Sequence, residues 1–271
     1  MIALPLPLAT GTGTAAGVLY AFEQSDAFAK IIILLLFAFS IQAWTIMIEK
    51  GASLRRVRRK DQIFTREFRE CRGPFDMMLG NRAAAGPIMN IYQSGVAEIV
   101  ELLDLPERET MRFAHEHRLP RQLSPYEVDR VRSAMERAVS GEIDGLERRL
   151  PLLGTTVTIS PFLGLLGTVW GVMMAFVGMA RAGRPDIGAM APGVSGALLT
   201  TVVGLVVAIP SVVGFNLLTS ATRQTITSMD NFVDDFVSML RLHGGELEPT
   251  GSREDEEPQR AARKLKIDTN F

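Results

Sequence analysis

LPLLGTTVTISPFLGLLGTVWGVMMAFVGMA, residues 150–180, and IGAMAPGVSGALLTTVVGLVVAIPSVVGFNLLTSAT, residues 187–222, are separated only by the polar link Arg181-Ala182-Gly183-Arg184-Pro185-Asp186. No Lys, Arg, Asp, Glu or His occurs inside either run. Each exceeds the roughly 20 apolar residues an α-helix needs to cross a bilayer core of about 30 Å. The pair reads as a hairpin of two membrane helices. Small residues recur every three or four positions: Gly164, Gly167, Thr168, Gly171, Ala175 and Gly178 in the first run, Gly193, Ala197, Thr201, Gly204, Ala208 and Ser211 in the second. Such stripes let helix backbones approach closely. They also suit a narrow, weakly polar passage lined by threonine hydroxyls, which donate and accept hydrogen bonds without carrying charge. The residues alone leave both readings open. A proton path further needs an ionisable carrier at membrane depth. Neither run holds one, so a conducting role requires a carboxylate from another chain.

Upstream of the hairpin, residues 27–48 form another span, with an almost unbroken aliphatic and aromatic centre at residues 31–41. Trp44 sits near one end, where an amphipathic ring suits the headgroup level. Lys50, Arg55, Arg56, Arg58, Arg59 and Lys60 follow, and nothing basic precedes Lys30. The positive-inside rule then puts residue 50 onward in the cytoplasm and residues 1–26 on the periplasmic side. A basic run of this kind also attracts acidic lipid heads, though a topology signal is the simpler job. Residues 1–26, with Pro5, Pro7, Gly11, Gly13 and Gly17 and no basic n-region, read as a loosely ordered outer segment rather than a signal peptide or a span.

The remaining layout follows from this topology. Residues 49–150 form a cytoplasmic helical domain. The first span continues as a helix towards Arg72 and stops at Gly73-Pro74. A helical stretch is interrupted at Gly86-Pro87, and residues 105–125 are polar with three prolines. Ser124-Pro125-Tyr126-Glu127 has the form of a capping box with proline at the first helical position. Val128, Val131, Met135, Val139, Leu146 and Leu150 then mark one face of a helix that joins the second span as a single column. The second span is assigned to 151–181, a periplasmic turn to 182–190, the third span to 191–215, a cytoplasmic helix to 216–243 and a disordered tail to 244–271. No sustained strand-like alternation occurs. The fold expected is all-α, a polytopic membrane protein with three transmembrane helices.

Composition narrows the function. Apolar residues make up 47% and charged residues 22% of 271, segregated into blocks as in a membrane protein with a sizeable soluble part. A net charge of −1 gives no reason to expect nucleic-acid binding. The single cysteine, Cys71, excludes an internal disulfide and a cysteine-based zinc site. His115 and His117 would point to different sides of a helix with no third ligand nearby, so no metal and no cofactor is expected. No nucleophile–base pair or phosphate loop stands out, so no catalytic residues and no enzymatic activity are expected.

A family resemblance rests on particular motifs. Ser160-Pro161-Phe162-Leu163-Gly164-Leu165-Leu166-Gly167-Thr168-Val169-Trp170-Gly171 resembles the second-span motif of the TolQ/ExbB/MotA family. Ala191-Pro192-Gly193-Val194, Ala197-Leu198-Leu199-Thr200-Thr201, Gly204-Leu205 and Ala208-Ile209-Pro210 resemble its third-span motif. The likeness extends over residues 25–242. Phe39-Ser40-Ile41 with Trp44, and Asp230-Asn231-Phe232 with Phe236, look more like the TolQ branch than the ExbB branch.

The resemblance implies a homopentamer in the bacterial inner membrane, its pore threaded by two copies of a single-span TolR- or ExbD-like partner, each bringing a membrane aspartate. Proton flow would drive rotation, passed through a TolA- or TonB-like force transmitter to the outer membrane, in the TolQ case to the Tol–Pal system at the division site. The family's pore threonines fall on Thr168 and Thr201, flanked by the small residues Gly164, Gly167, Gly171, Ala197, Gly204 and Ala208. The alternative outputs are ExbB-like support of TonB-dependent uptake or a gliding or stator motor. A non-conducting membrane scaffold is the reading of another class. Where many relatives have a third-span glutamate, this chain has Gly196. Either Ser195 or water stands in for it, or the motor has another output.

Overall fold

The computed structural model describes residues 21–23, 25–71, 73–78, 86–117, 119–182 and 187–243. The expectations for residues 1–20, for the centre of the outer turn and for the tail from 244 lie outside the described residues. The described residues include the α-helices α1 (Ala27–Glu70), α2 (Pro87–Leu102), α3 (Glu107–His115), α4 (Pro125–Glu147), α5 (Leu150–Ala182) and α6 (Ile187–His243), with a 3-10 turn at Asp76–Met78. About nine-tenths of the described residues are helical and none is in a strand. Three apolar segments, within α1, α5 and α6, are long enough to cross a membrane, and most of each apolar window is left uncovered. The chain divides into two compact units, Met1–Arg56 with Ile143–Thr225, and Val57–Glu142 with Ile226–Phe271.

In the first unit α1 packs on the α5–α6 hairpin through Ile32, Leu36 and Val207, with Phe28, Phe39, Leu163 and Val203 around them. Leu34, Phe37, Ile41, Leu166, Phe176, Val206 and Ile209 face outward. An uncovered apolar surface on a spanning helix is what lipid or another membrane helix covers. At the foot of this unit the sequence expectation needs correction. The column through residue 150 is not continuous: α4 stops at Glu147, and Arg149 adopts φ 77° before α5 begins. A helix end leaves carbonyls without intrahelical partners. The Lys50 ammonium takes up two of them, donating to the Gly145 and Leu146 oxygens at 3.0 Å each. The neighbouring Glu49 carboxylate pairs with Arg149. These partners lie about a hundred residues away in sequence, so the local pattern cannot announce the break.

The second unit is organised by aromatic rings. Phe64 and Phe68 of α1, Tyr92 of α2 and Phe232 and Phe236 of α6 have centroids 4.9–6.4 Å apart. All five are at most 2% exposed, and Tyr92 donates its hydroxyl proton to the Pro74 oxygen at 2.8 Å. Gly95 is required where α2 meets α4 and α6: a Cβ there would stand 2.8 Å from the Met135 sulfur and 3.3 Å from the Phe236 ring. The capping box forms as expected. The Ser124 amide donates to Glu127 Oε2 at 2.8 Å and the Glu127 amide donates to Ser124 Oγ at 3.3 Å. Arg121 grips the same carboxylate, and this, with the Ser124 bond, holds Glu127 down at about 2. Residues 105–125, the polar stretch with three prolines, contain the short helix α3. Pro106 precedes its first turn, and Thr110, Phe113 and Ala114 make one buried face.

Candidate functional site

The hairpin seam is made of backbone contact. A Cβ on Gly164 would stand 2.9 Å from the Thr201 Cα, one on Gly171 2.7 Å from the Ala197 Cβ, and one on Gly204 2.7 Å from the Ser160 oxygen. Gly193 lies against Ala175 in the same way. Gly164, Gly167, Gly171, Ala197, Gly204 and Ala208 are all buried, and the contacts at Gly164, Gly167, Gly171, Ala197 and Gly204 are between α5 and α6 of one chain. The small stripe is therefore used for intrachain helix packing. That favours dispersion at short range, the term available to helices in lipid.

The two threonines singled out from sequence come together at the margin of this seam, both half-buried. Thr201 Oγ1 donates across the hairpin to the Gly164 oxygen at 2.9 Å, and its alternative acceptor is Thr168 Oγ1 at 3.4 Å. Thr168 in turn donates to the Leu165 oxygen at 2.7 Å. A hydroxyl has one proton and two acceptor positions, so the pair can re-orient between an interhelical and a hydroxyl–hydroxyl bond without breaking the packing. The side chains carry no charge. A proton passing here must be brought and accepted by groups outside the hairpin.

Thr200 was not singled out from the sequence and belongs to the same arrangement. Fully buried, it sits 3.1 Å from the Gly164 oxygen and 2.6 Å from the Ala197 oxygen, and can donate to either. Its side chain explains Gly167, where a Cβ would fall 2.3 Å from Thr200 Oγ1. The doublet Thr200-Thr201 was the available signal: neighbours on a helix are about 100° apart, so one can fill the seam while the other lines its edge. Gly196, where the family resemblance leads one to look for a carboxylate, is buried against Ser25, whose Oγ would be 2.5 Å from an added Cβ. Ser195, the residue considered as a stand-in, is exposed.

Outside the spans, Asp61 is the buried carboxylate among the described residues, at 5% exposure. It accepts the Ile88 amide at 3.3 Å, capping α2 from α1. Burial pushes its carboxyl up to about 6, against the opposing pull of that hydrogen bond, with Glu142 adding to the rise. Burial likewise lifts the Cys71 thiol to about 11, leaving it a poor nucleophile at neutral pH. His115 Nδ1 lies 2.8 Å from the Met111 oxygen and His117 Nδ1 lies 2.9 Å from Asp76. Among the described residues no group of three or more His, Cys, Asp or Glu is placed to hold a metal ion.

The described residues thus give a helical protein with three helices long and apolar enough to cross a membrane and a hydroxyl pair on the edge of a glycine seam. Residues 86–231 match the MotA/TolQ/ExbB proton channel family, which is more than half of the chain, and the chain belongs to that family. It is 29% identical to the Tol-Pal system protein TolQ of Haemophilus influenzae over 223 residues, covering 81% of this chain and 91% of that protein. TolQ of Pseudomonas aeruginosa is also 29% identical, over 80% of this chain and 90% of its own length. The biopolymer transport protein ExbB of Salmonella typhimurium is 37% identical over 139 residues, 51% of this chain and 55% of that protein. The matches support a TolQ/ExbB-type proton-channel motor subunit rather than an enzyme.

Proposed function

We propose that this chain is the ring-forming subunit of a proton-driven motor in the bacterial inner membrane, of TolQ type. Five copies surround a pair of TolR- or ExbD-like single-span partners. The spans are residues 27–48, 151–181 and 191–215, with the N-terminus periplasmic and the C-terminus cytoplasmic, as the basic run after Ile48 favours. Thr168 and Thr201 line the proton pathway, and the partner's membrane aspartate carries the proton past them. The observation that carries this reading is the hydroxyl pair itself, half-exposed and able to switch acceptors inside an otherwise uncharged hairpin. Gly164, Gly167, Gly171, Ala197, Gly204 and Ala208 hold the wall behind it. The output is force on the outer membrane through a TolA-like transmitter of a Tol–Pal system, supported by the near full-length similarity to two TolQ proteins.

ExbB-like support of TonB-dependent uptake is the second reading, favoured by the higher identity over the shorter match to ExbB. Affinity purification from the native host separates them: a TolA-like protein in the complex supports the first, a TonB-like protein the second. Proteoliposomes containing the chain with its single-span partner should acidify or alkalinise in response to an imposed potential, and liposomes with either protein alone should not. A complex that forms but passes no protons would mark the chain as a scaffold and overturn the proposal.

A further inference from the structure

Residues 21–23 are helical and Ser25 bonds back to them, a hook ahead of α1 that α1 and α6 hold. Ser25 donates its amide to the Phe22 oxygen at 3.3 Å and its hydroxyl to the Ala21 oxygen at 2.5 Å. Lys30 of α1 donates to the Glu23 oxygen at 3.0 Å and lies 5.9 Å over the Phe22 ring. Just inside α1, Phe28 packs at a tilt on Trp170 of α5 with centroids 4.5 Å apart. The contact from α6 consists of a missing side chain. A Cβ on Gly196 would stand 2.5 Å from Ser25 Oγ and 3.2 Å from both the Cα and the Cβ of Ser25. Ala21 and Ser25 are 6% and 7% exposed, so the hook fills the notch.

One helical turn beyond Gly196 stands Thr200, on whose fit against Gly164 and Gly167 the seam depends. Ser25, Gly196, Ala197, Thr200 and the Gly164 carbonyl thus form one tightly packed column. Protein interiors are dense enough to transmit a displacement of this kind to the next contact. We infer that Ser25 is a positioning residue for the threonine pair: the hook around it, seated in the Gly196 notch, fixes the end of α6 from which Thr200 and Thr201 are presented, and a Cβ at 196 collides with the Ser25 hydroxyl. The seating stands on packing alone; its effect on proton flow rests on the proposed function.

Two variants beside the parent, with two readouts, test the inference on the full chain, reconstituted with its partner. Gly196→Ala adds the excluded Cβ. Intrinsic helix propensity alone would make this change stabilising, so a loss reports the clash. Ser25→Gly in the same chain removes Oγ and Cβ, leaving only the 3.2 Å approach to Cα, which the neighbour can absorb by a small shift. With Cys71→Ser as background, spin labels at the exposed positions Glu23→Cys and Ala180→Cys report the hook by electron–electron distance measurement. The expected result is a narrow distance distribution in the parent, a broad one in Gly196→Ala, and a narrow one again in the double variant. Partner-dependent proton flux should fall by ten- to a hundredfold in Gly196→Ala, about the scale for a site displaced by an ångström, and recover in the double variant. A distribution that stays narrow in Gly196→Ala overturns the seating. A broadened distribution with undiminished flux overturns the positioning role. If the parent passes no protons the proposed function fails, and the distance measurement still decides the seating.

Discussion

The hairpin seam and the aromatic cluster are built on opposite chemistry. Phe64, Phe68, Tyr92, Phe232 and Phe236 bury large rings that would otherwise meet water, and water supplies the driving force. Across the seam the contacting groups are Gly164, Gly167, Gly171, Ala197, Thr200 and Gly204. In lipid there is little free energy to gain from burying a larger apolar group, since the tails are as apolar as leucine. Close approach and interhelical hydrogen bonds remain, and both need small residues. The difference tells which mutations each region tolerates: the cluster fears loss of volume, the seam fears gain.

The largest expected effect is in the cluster. Phe232→Ala leaves a cavity beside the Phe64, Phe68 and Phe236 rings, and should cost about 3–5 kcal/mol, read as a fall in the denaturation midpoint of the detergent-solubilised protein. Gly167→Ala tests the opposite sensitivity. Its Cβ falls on Thr200 Oγ1, a side chain locked in the seam, so overpacking should cost about 1–3 kcal/mol. A neutral result by the same assay would show that the seam is looser than these contacts imply. Gly141→Ala, at a helix position where a Cβ meets nothing within 4 Å, is the control and should be neutral or slightly stabilising.

Asp61 gives a pH-dependent comparison. Its carboxyl is raised from the ordinary 3.8 to about 6, mainly by burial, so the folded state binds the proton more tightly than the unfolded one. Its ionisation therefore costs stability above pH 6, and the cost is relieved as the pH falls towards 4. Asp61→Asn keeps an oxygen to accept the Ile88 amide and removes the charge. It should raise stability at pH 7.5 by about 1–3 kcal/mol and flatten the profile between pH 7.5 and 5. The smallest loss is expected at Ser124→Ala, which removes one bond of the capping box for about 1 kcal/mol.

Charge and spacing made much of the architecture readable. Two uncharged runs gave α5 and the first part of α6, and Ser124 with Glu127 marked the start of α4 by chemistry that is local to four residues. Gly86-Pro87, read as an interruption in a helical stretch, is where α2 begins. What escaped was set by distant partners. The elbow at Arg148 and Arg149 depends on Glu49 and Lys50. The helix α3 hid in a polar, proline-rich stretch because its buried face is only Thr110, Phe113 and Ala114. At the site, Thr168 and Thr201 were legible as hydroxyls repeated at helical spacing. Their contact, the buried role of Thr200 and the seating of Ser25 against Gly196 depend on how the helices cross, which no local pattern records.

Proton flux through the partner-bound complex carrying Thr201→Val tests the central claim most directly. Valine keeps the volume and removes the hydroxyl that donates to Gly164 or Thr168. The complex should assemble in unchanged amount and conduct at least about tenfold less, the scale on which losing a positioned proton-transfer group is felt. Full flux in an assembled Thr201→Val complex would contradict the account, because the hydroxyl pair would then be packing and nothing more.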